Sequence, residues 1–234
     1  MDLEKSFGSR KIVDRISMTI EPGETVGLLG PNGAGKTTTF YMMAGIIRPD
    51  RGRILIGEND ITRMDLASRA RAGLSYLPQE RSAFQGLTTE QNIMAVLEFQ
   101  DITRDEQKEL VHHLLREFSL EHLAGTRACA LSGGEARRLE IARALAIQPE
   151  FLLMDEPFTG LDPLAVETIQ GIIARLRRNS IGILISDHNV RETLKICDRA
   201  YILSQGKILE SGPPARIAES QQVRAAYLGE DFRL

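Results

Sequence analysis

The sequence predicts an α/β fold built on a mainly parallel sheet covered on both faces. Three observations carry this. Short apolar runs alternate with longer stretches of helical period, the runs are continuous as strands buried on both faces must be, and Gly or Pro punctuates most junctions. Residues 24–29 (ETVGLL) read as a buried strand, followed by a glycine-rich turn and a helix over 37–47 that stops before Pro49. Residues 54–57 read as a short strand. Thr88 stands three before Gln91 and Thr103 three before Glu106, both capping-box spacings, so a helix starts at each. Helical period runs over 103–118 with Leu110, Leu114 and Phe118 on one face. Residues 151–154 (FLLM) and 181–185 (IGILI) read as buried strands. The helix between them opens at Pro163, where a missing N–H costs nothing. Residues 200–203 and 207–210 flank Gln205-Gly206 and predict a hairpin. The mostly helical interval 88–147 then reads as a subdomain inserted between residues 1–87 and 148–234 of one domain spanning 1–234.

Composition narrows the function. The 234 residues include 29 basic and 32 acidic side chains, a formal net charge of −3 with no long run of either sign, which argues against a polybasic nucleic-acid binder. No uncharged stretch exceeds 11 residues (25–35 and 37–47), against the ~20 apolar residues that a membrane span needs. Asp2, Glu4 and Lys5 do not read as a secretory start. Cys129 and Cys197 are too few for a disulfide framework or a zinc site and point to a reducing compartment. The expectation is a cytoplasmic protein.

Gly30-Pro31-Asn32-Gly33-Ala34-Gly35-Lys36-Thr37 fits the phosphate-binding pattern G-x-x-x-x-G-K-[ST] and lies between a predicted strand and a predicted helix. The glycines let successive N–H groups turn inward onto phosphate oxygens, and the helix start adds its positive end. Lys36 supplies a mobile cation for the β- and γ-phosphates, the Thr37 hydroxyl can ligate Mg²⁺, and Thr38 lies beside it in the first turn. Asp155-Glu156 follows a buried strand at the edge where ligands of open α/β sheets bind. Asp155 is placed to hold Mg²⁺ and Glu156 to orient and deprotonate the attacking water. His188 follows the next strand and could donate to a developing oxyanion, although a lone histidine is usually a structural or surface residue. His112, His113 and His122 sit on or beside a charged helix and read as solvated.

Leu131-Ser-Gly-Gly-Glu135 is a capping box by spacing, yet its two glycines beside a helix start also make an anion site. Placed between Lys36 and Asp155, it resembles the signature motif of the ABC-type ATPases. In that resemblance Gln79 matches the glutamine that touches Mg²⁺ and senses a transmembrane partner, Gly160-Leu161-Asp162 the D-loop, and His188 the switch histidine. Phe7 matches the aromatic that stacks on adenine. The family fold adds a small antiparallel β subdomain to the parallel core. Residues 37–43 (TTTFYMM), 187–194 (DHNVRETL) and the ending 227–234 (YLGEDFRL) resemble the branch of the family that powers bacterial lipopolysaccharide export.

The resemblance implies a hydrolase using ATP and Mg²⁺, closing head to tail as a homodimer. Ser132, Gly133 and Gly134 of one copy then face Lys36, Asp155 and Glu156 of the other. It further implies transmembrane permease subunits of a lipopolysaccharide exporter as partners, met near Gln79, Phe84 and Leu87 on the cytoplasmic face of the inner membrane. Membrane association then runs through those partners only, with no nucleic acid bound. Burial of Phe84 and Leu87 in the helical subdomain is the alternative. Two other functions compete: an importer of the branched-chain amino-acid type, whose ATPases share much of this pattern, and a soluble ABC ATPase acting on DNA or ribosomes. The latter usually carries two cassettes or a long coiled-coil insertion, whereas this sequence has one such glycine loop and no sustained heptads.

Overall fold

The computed structural model describes residues 1–230, 232 and 234; of the ending 227–234, Asp231 and Arg233 lie outside the described residues. Strands β1 (Leu3–Phe7) and β2 (Arg10–Ile16) form an antiparallel pair. Strand β3 (Thr25–Leu29) leads into α1 (Lys36–Ala44). The short pair β4 (Leu55–Ile56) and β5 (Asn59–Asp60) and helix α2 (Leu66–Arg71) precede β6 (Leu74–Leu77). Helices α3 (Thr89–Leu97), α4 (Arg104–Glu117) and α5 (Gly133–Leu145) follow. The chain then alternates through β7 (Phe151–Asp155), α6 (Pro163–Arg178), β8 (Gly182–Ser186), α7 (Val190–Ile196), β9 (Arg199–Ser204), β10 (Lys207–Gly212) and α8 (Pro214–Glu219). The main sheet has the order β10-β9-β3-β8-β7-β6, parallel throughout except at β10.

Two-residue alternation along these strands feeds separate cores. Leu152, Met154, Ile183 and Ile185 point into the core shared with α3 to α6, whereas Leu153, Leu184, Val26 and Leu28 point into the one shared with α1 and the β1–β2 pair. Both faces are dry, which is why the sequence reads as unbroken apolar runs. Gln205 and Gly206 both take positive φ (48° and 79°), the pair of left-handed residues that a tight β9–β10 turn requires. All three capping boxes form: Thr88 with Gln91, Thr103 with Glu106 and Ser132 with Glu135. Leu114 and Phe118 are buried, with Leu110 packed beside them.

Several boundaries differ from the sequence reading: β4 is shorter than 54–57, while β7, β9 and β10 extend beyond 151–154, 200–203 and 207–210. Strand β8 is shifted by one residue, taking in Ser186 and leaving out Ile181. Helix α1 ends at Ala44 rather than continuing to residue 47, because Gly45 turns left-handed (φ 83°, ψ 15°). The Ile46 amide then donates to the Tyr41 carbonyl at 2.9 Å. Two carbonyls at this helix end, those of Met42 and Met43, also accept from Arg69, only 1% exposed. Its guanidinium donates to the carbonyls of Met42 and Met43 (2.6 Å each), Thr62 (2.9 Å) and Met64 (3.0 Å), with no carboxylate partner among the described residues. A cation at a helix C-terminus is favoured by the helix dipole as well as by the hydrogen bonds. Replacing Arg69 with Ala removes its hydrogen bonds to four carbonyls, one buried and three part-buried, and opens a void, and should cost about 3–5 kcal/mol in urea unfolding; an unchanged unfolding midpoint would contradict this role.

Candidate active site

The site lies at the carboxyl ends of β3, β7 and β8. The loop after β3 turns on Gly30 (φ 150°), Gly33 (φ 77°) and Gly35 (φ 108°). A Cβ on Gly30 would run into the Leu203 carbonyl, and one on Gly35 would come within 2.8 Å of the Ile12 carbonyl, so β2 and β9 press directly on the loop backbone. Helices α2 to α7 are each capped by a side chain, from Asp65, Thr88, Thr103, Ser132, Asp162 and Asn189. Helix α1 is not: Gly35 stands at its N-cap and no acidic residue lies in its first turn. Its leading N–H groups, beside Thr37 and Thr38, therefore have no capping side chain among the described residues, an arrangement suited to an anion such as phosphate. Lys36 curls back, its Nζ donating to the carbonyls of Gly30 (2.7 Å) and Pro31 (3.1 Å). Burial lowers its pKa, opposed by the nearby Glu156 and Asp155.

Asp155 ends β7 almost wholly buried, 3% exposed. Burial, then the charge of Glu156, pushes its carboxyl up to about 6. Glu156 follows with a left-handed backbone, φ 47°, which costs a non-glycine residue about 1–2 kcal/mol. Its amide is pinned to the Ser186 carbonyl at 2.6 Å and its own carbonyl accepts from Arg137 at 3.0 Å. The carboxylate Oε2 accepts from Gln79 Nε2 (2.8 Å) and Thr159 Oγ1 (2.9 Å) and lies 3.4 Å from His188 Nδ1. Asp187, fully buried with its pKa raised by burial, is held by the amides of Phe158 (3.0 Å) and Asn189 (2.8 Å). Its Oδ1 lies 3.6 Å from His188 Nδ1.

The structure thus joins Lys36, Gln79, Asp155, Glu156 and His188 into one cluster. It keeps the others apart from it. Ser132 caps α5, and a Cβ on Gly133 or Gly134 would meet Leu161 (3.6 Å) or Ala165 (3.1 Å); none of the hydrogen bonds among the described residues joins residues 132–134 to residues 30–38. Asp162 caps α6, accepting from the Ala165 amide at 2.9 Å. Phe7 is 54% exposed at the end of β1, with Lys5 Nζ 5.7 Å from its ring centre. Phe84 is 51% exposed and carries the Arg143 guanidinium 4.7 Å over its ring, while Leu87 is half-buried. His112, His113 and His122 are exposed.

Sequence reading missed Arg137 and Glu140. Arg137, 6% exposed, donates to the carbonyls of Pro78 (3.0 Å), Asp155 (3.2 Å), Glu156 (3.0 Å) and Pro157 (3.1 Å) and pairs with Glu140 at 3.1 Å. Glu140 in turn accepts from the Ser82 amide at 2.6 Å. The pair ties helix α5 to the loops bearing Gln79 and Glu156. The only signal was an i,i+3 Arg–Glu pair on a helix side otherwise apolar (Ala136, Leu139). Arg137→Ala leaves Glu140 buried without its partner and should destabilise the protein by about 3–5 kcal/mol; retention of wild-type unfolding in urea would count against the pairing.

An uncapped helix start behind a glycine loop, a lysine curled within it and a carboxylate pair across the sheet edge define a P-loop nucleoside triphosphatase. Residues 13–159 match the ABC transporter family model, and residues 207–233 match the model of the branched-chain amino acid ATP-binding cassette transporter. The chain is 52% identical, over its whole length and 97% of the relative, to the lipopolysaccharide export system ATP-binding protein LptB of Escherichia coli K12. The protein of that name from Haemophilus influenzae is 51% identical with the same coverage. A solved ATP-binding cassette of an ABC transporter, MJ1267 in its ADP conformation, superposes with a TM-score of 0.87 at 27% identity, covering 98% of this chain and 97% of that one. The chain belongs to the ABC transporter ATP-binding family and is an ATPase. Among the described residues no helix is long and apolar enough to cross a membrane.

Proposed function

We propose that the chain is the ATP-hydrolysing subunit of a transporter that extracts lipopolysaccharide from the inner membrane for export, working at the cytoplasmic face through transmembrane partners. The observation that carries this reading is the end-to-end identity with proteins named for that export system. The match of residues 207–233 to the branched-chain amino acid model favours a second reading, an importer ATPase, but it covers the tail alone. Proteins co-purifying from detergent-solubilised inner membrane decide between them.

In this reading residues 30–38 and Lys36 bind the phosphates of ATP, Phe7 stacks on adenine, and Thr37, Asp155 and Gln79 hold Mg²⁺. Mg²⁺, when bound, offsets the charge that builds on the β- and γ-phosphates. Glu156 takes a proton from the attacking water, with Gln79, Thr159 and His188 fixing its carboxylate. His188 also faces the terminal phosphate. Residues 132–134 and Asp162 meet that phosphate from a second copy, which is consistent with their separation from residues 30–38 within one chain. ATP then favours the closed pair because the terminal phosphate adds contacts only there, and hydrolysis removes the preference. Residues 88–147 form the inserted subdomain that carries closure to the partners, with Phe84 and Leu87 lining the receiving groove; exposure of the Phe84 ring supports this over burial.

Glu156→Gln should bind ATP, accumulate a dimer on size exclusion and hydrolyse at about 1% or less of the wild-type rate. Near-normal turnover would remove Glu156 from the base role. Phe84→Ala should leave basal hydrolysis intact while weakening co-purification with the membrane partners about tenfold; unaltered recovery of those partners would rule out the groove.

A further inference from the structure

Asp155 differs from its acidic neighbours in how it is held. The Glu156 carboxylate accepts hydrogen bonds from two side chains, with His188 beside it, and that of Asp187 accepts from two backbone amides. The Asp155 carboxylate receives one hydrogen bond among the described residues, at Oδ2, from the Tyr76 hydroxyl at 3.5 Å. A carboxylate turns readily about its last torsion unless something fixes it, and this contact is the one that addresses a particular oxygen.

The sheet dictates the contact. Tyr76 on β6 is the register partner of Leu153 on β7, which places it diagonally across from Asp155 on the same face. Diagonal neighbours lie roughly 7–8 Å apart, a gap that a phenol spans and a serine cannot. The ring is half-buried and packs against the core that includes Leu74 and Leu153, which limits how far the hydroxyl can swing. Phenylalanine would fill the same space without a donor.

We propose that Tyr76 is a positioning residue for the metal site: by holding Oδ2 of Asp155 it presents the other carboxylate oxygen to Mg²⁺. This rests on the reading of Asp155 as a magnesium ligand and deepens it. Partners that orient a ligand from behind commonly govern metal affinity as strongly as a weak ligand does.

The test compares wild type with Tyr76→Phe, using a fluorescent ATP analogue titrated in EDTA and in Mg²⁺. Affinity in EDTA should be unchanged, since among the described residues the Tyr76 hydroxyl bonds to Asp155 and to none of residues 30–38. The Mg²⁺-dependent gain in affinity should shrink, and the Mg²⁺ concentration for half-maximal hydrolysis should rise, each about tenfold. In an Asp155→Asn background the same substitution should have no effect on the Mg²⁺ response. A Tyr76→Phe protein that melts earlier but keeps the wild-type Mg²⁺ response would overturn the proposal, as would a further loss in the Asp155→Asn background. Wild type showing no Mg²⁺-dependent nucleotide binding would overturn the underlying reading as well, an outcome distinct from Tyr76→Phe matching a responsive wild type.

Discussion

The arrangement depends on a set of N–H groups that the chain leaves without a partner. Helices α2 to α7 spend a serine, threonine, asparagine or aspartate on their first-turn donors, but α1 begins at a glycine and offers its donors outward. Left alone, such an end is a cost to the fold. It is tolerable here because solvent reaches the exposed Thr37 and because the glycine loop is braced from outside by β2 and β9. The opposite end of α1 is finished with equal care, by Gly45 and the buried Arg69. A helix closed at one end and open at the other is a rigid dipole with one free pole.

The remaining chemistry is arranged around that pole by the twofold alternation of a parallel sheet. Strands β7 and β8 end at the same height, so Asp155, Glu156 and His188 converge without any loop reaching far. Buried charge then connects the cluster to the helical layer. Through Arg137 and Glu140, a movement of α5 reaches the Gln79 loop and the Glu156 backbone as displaced hydrogen bonds rather than as diffuse packing changes. Single partners in such a buried set are expensive to lose.

Most of the architecture was legible because the physical signals were local. Buried strands announce themselves as unbroken apolar runs, and capping boxes fix the starts of α3, α4 and α5 to the residue. Strand β6 was not distinguished, since LSYL is short and its tyrosine and serine dilute the apolar run. Helix α2 is a single charged turn and a half whose order comes from the Arg69 contacts, which no spacing rule reveals. The same limit hid Arg137 and Tyr76. Their partners are backbone carbonyls and a carboxylate distant in sequence, brought near only by sheet register and helix packing.

The left-handed backbone of Glu156 has a further consequence. At that φ, glycine is the residue that the main chain itself would choose, and an acid is held there against local preference by the Ser186 and Arg137 contacts. A screen that rewards thermal resistance without regard to turnover would therefore drift toward removing this side chain. Under the proposed base role of Glu156, durability and catalysis pull against each other at one position, and the conflict can be read from a single torsion angle.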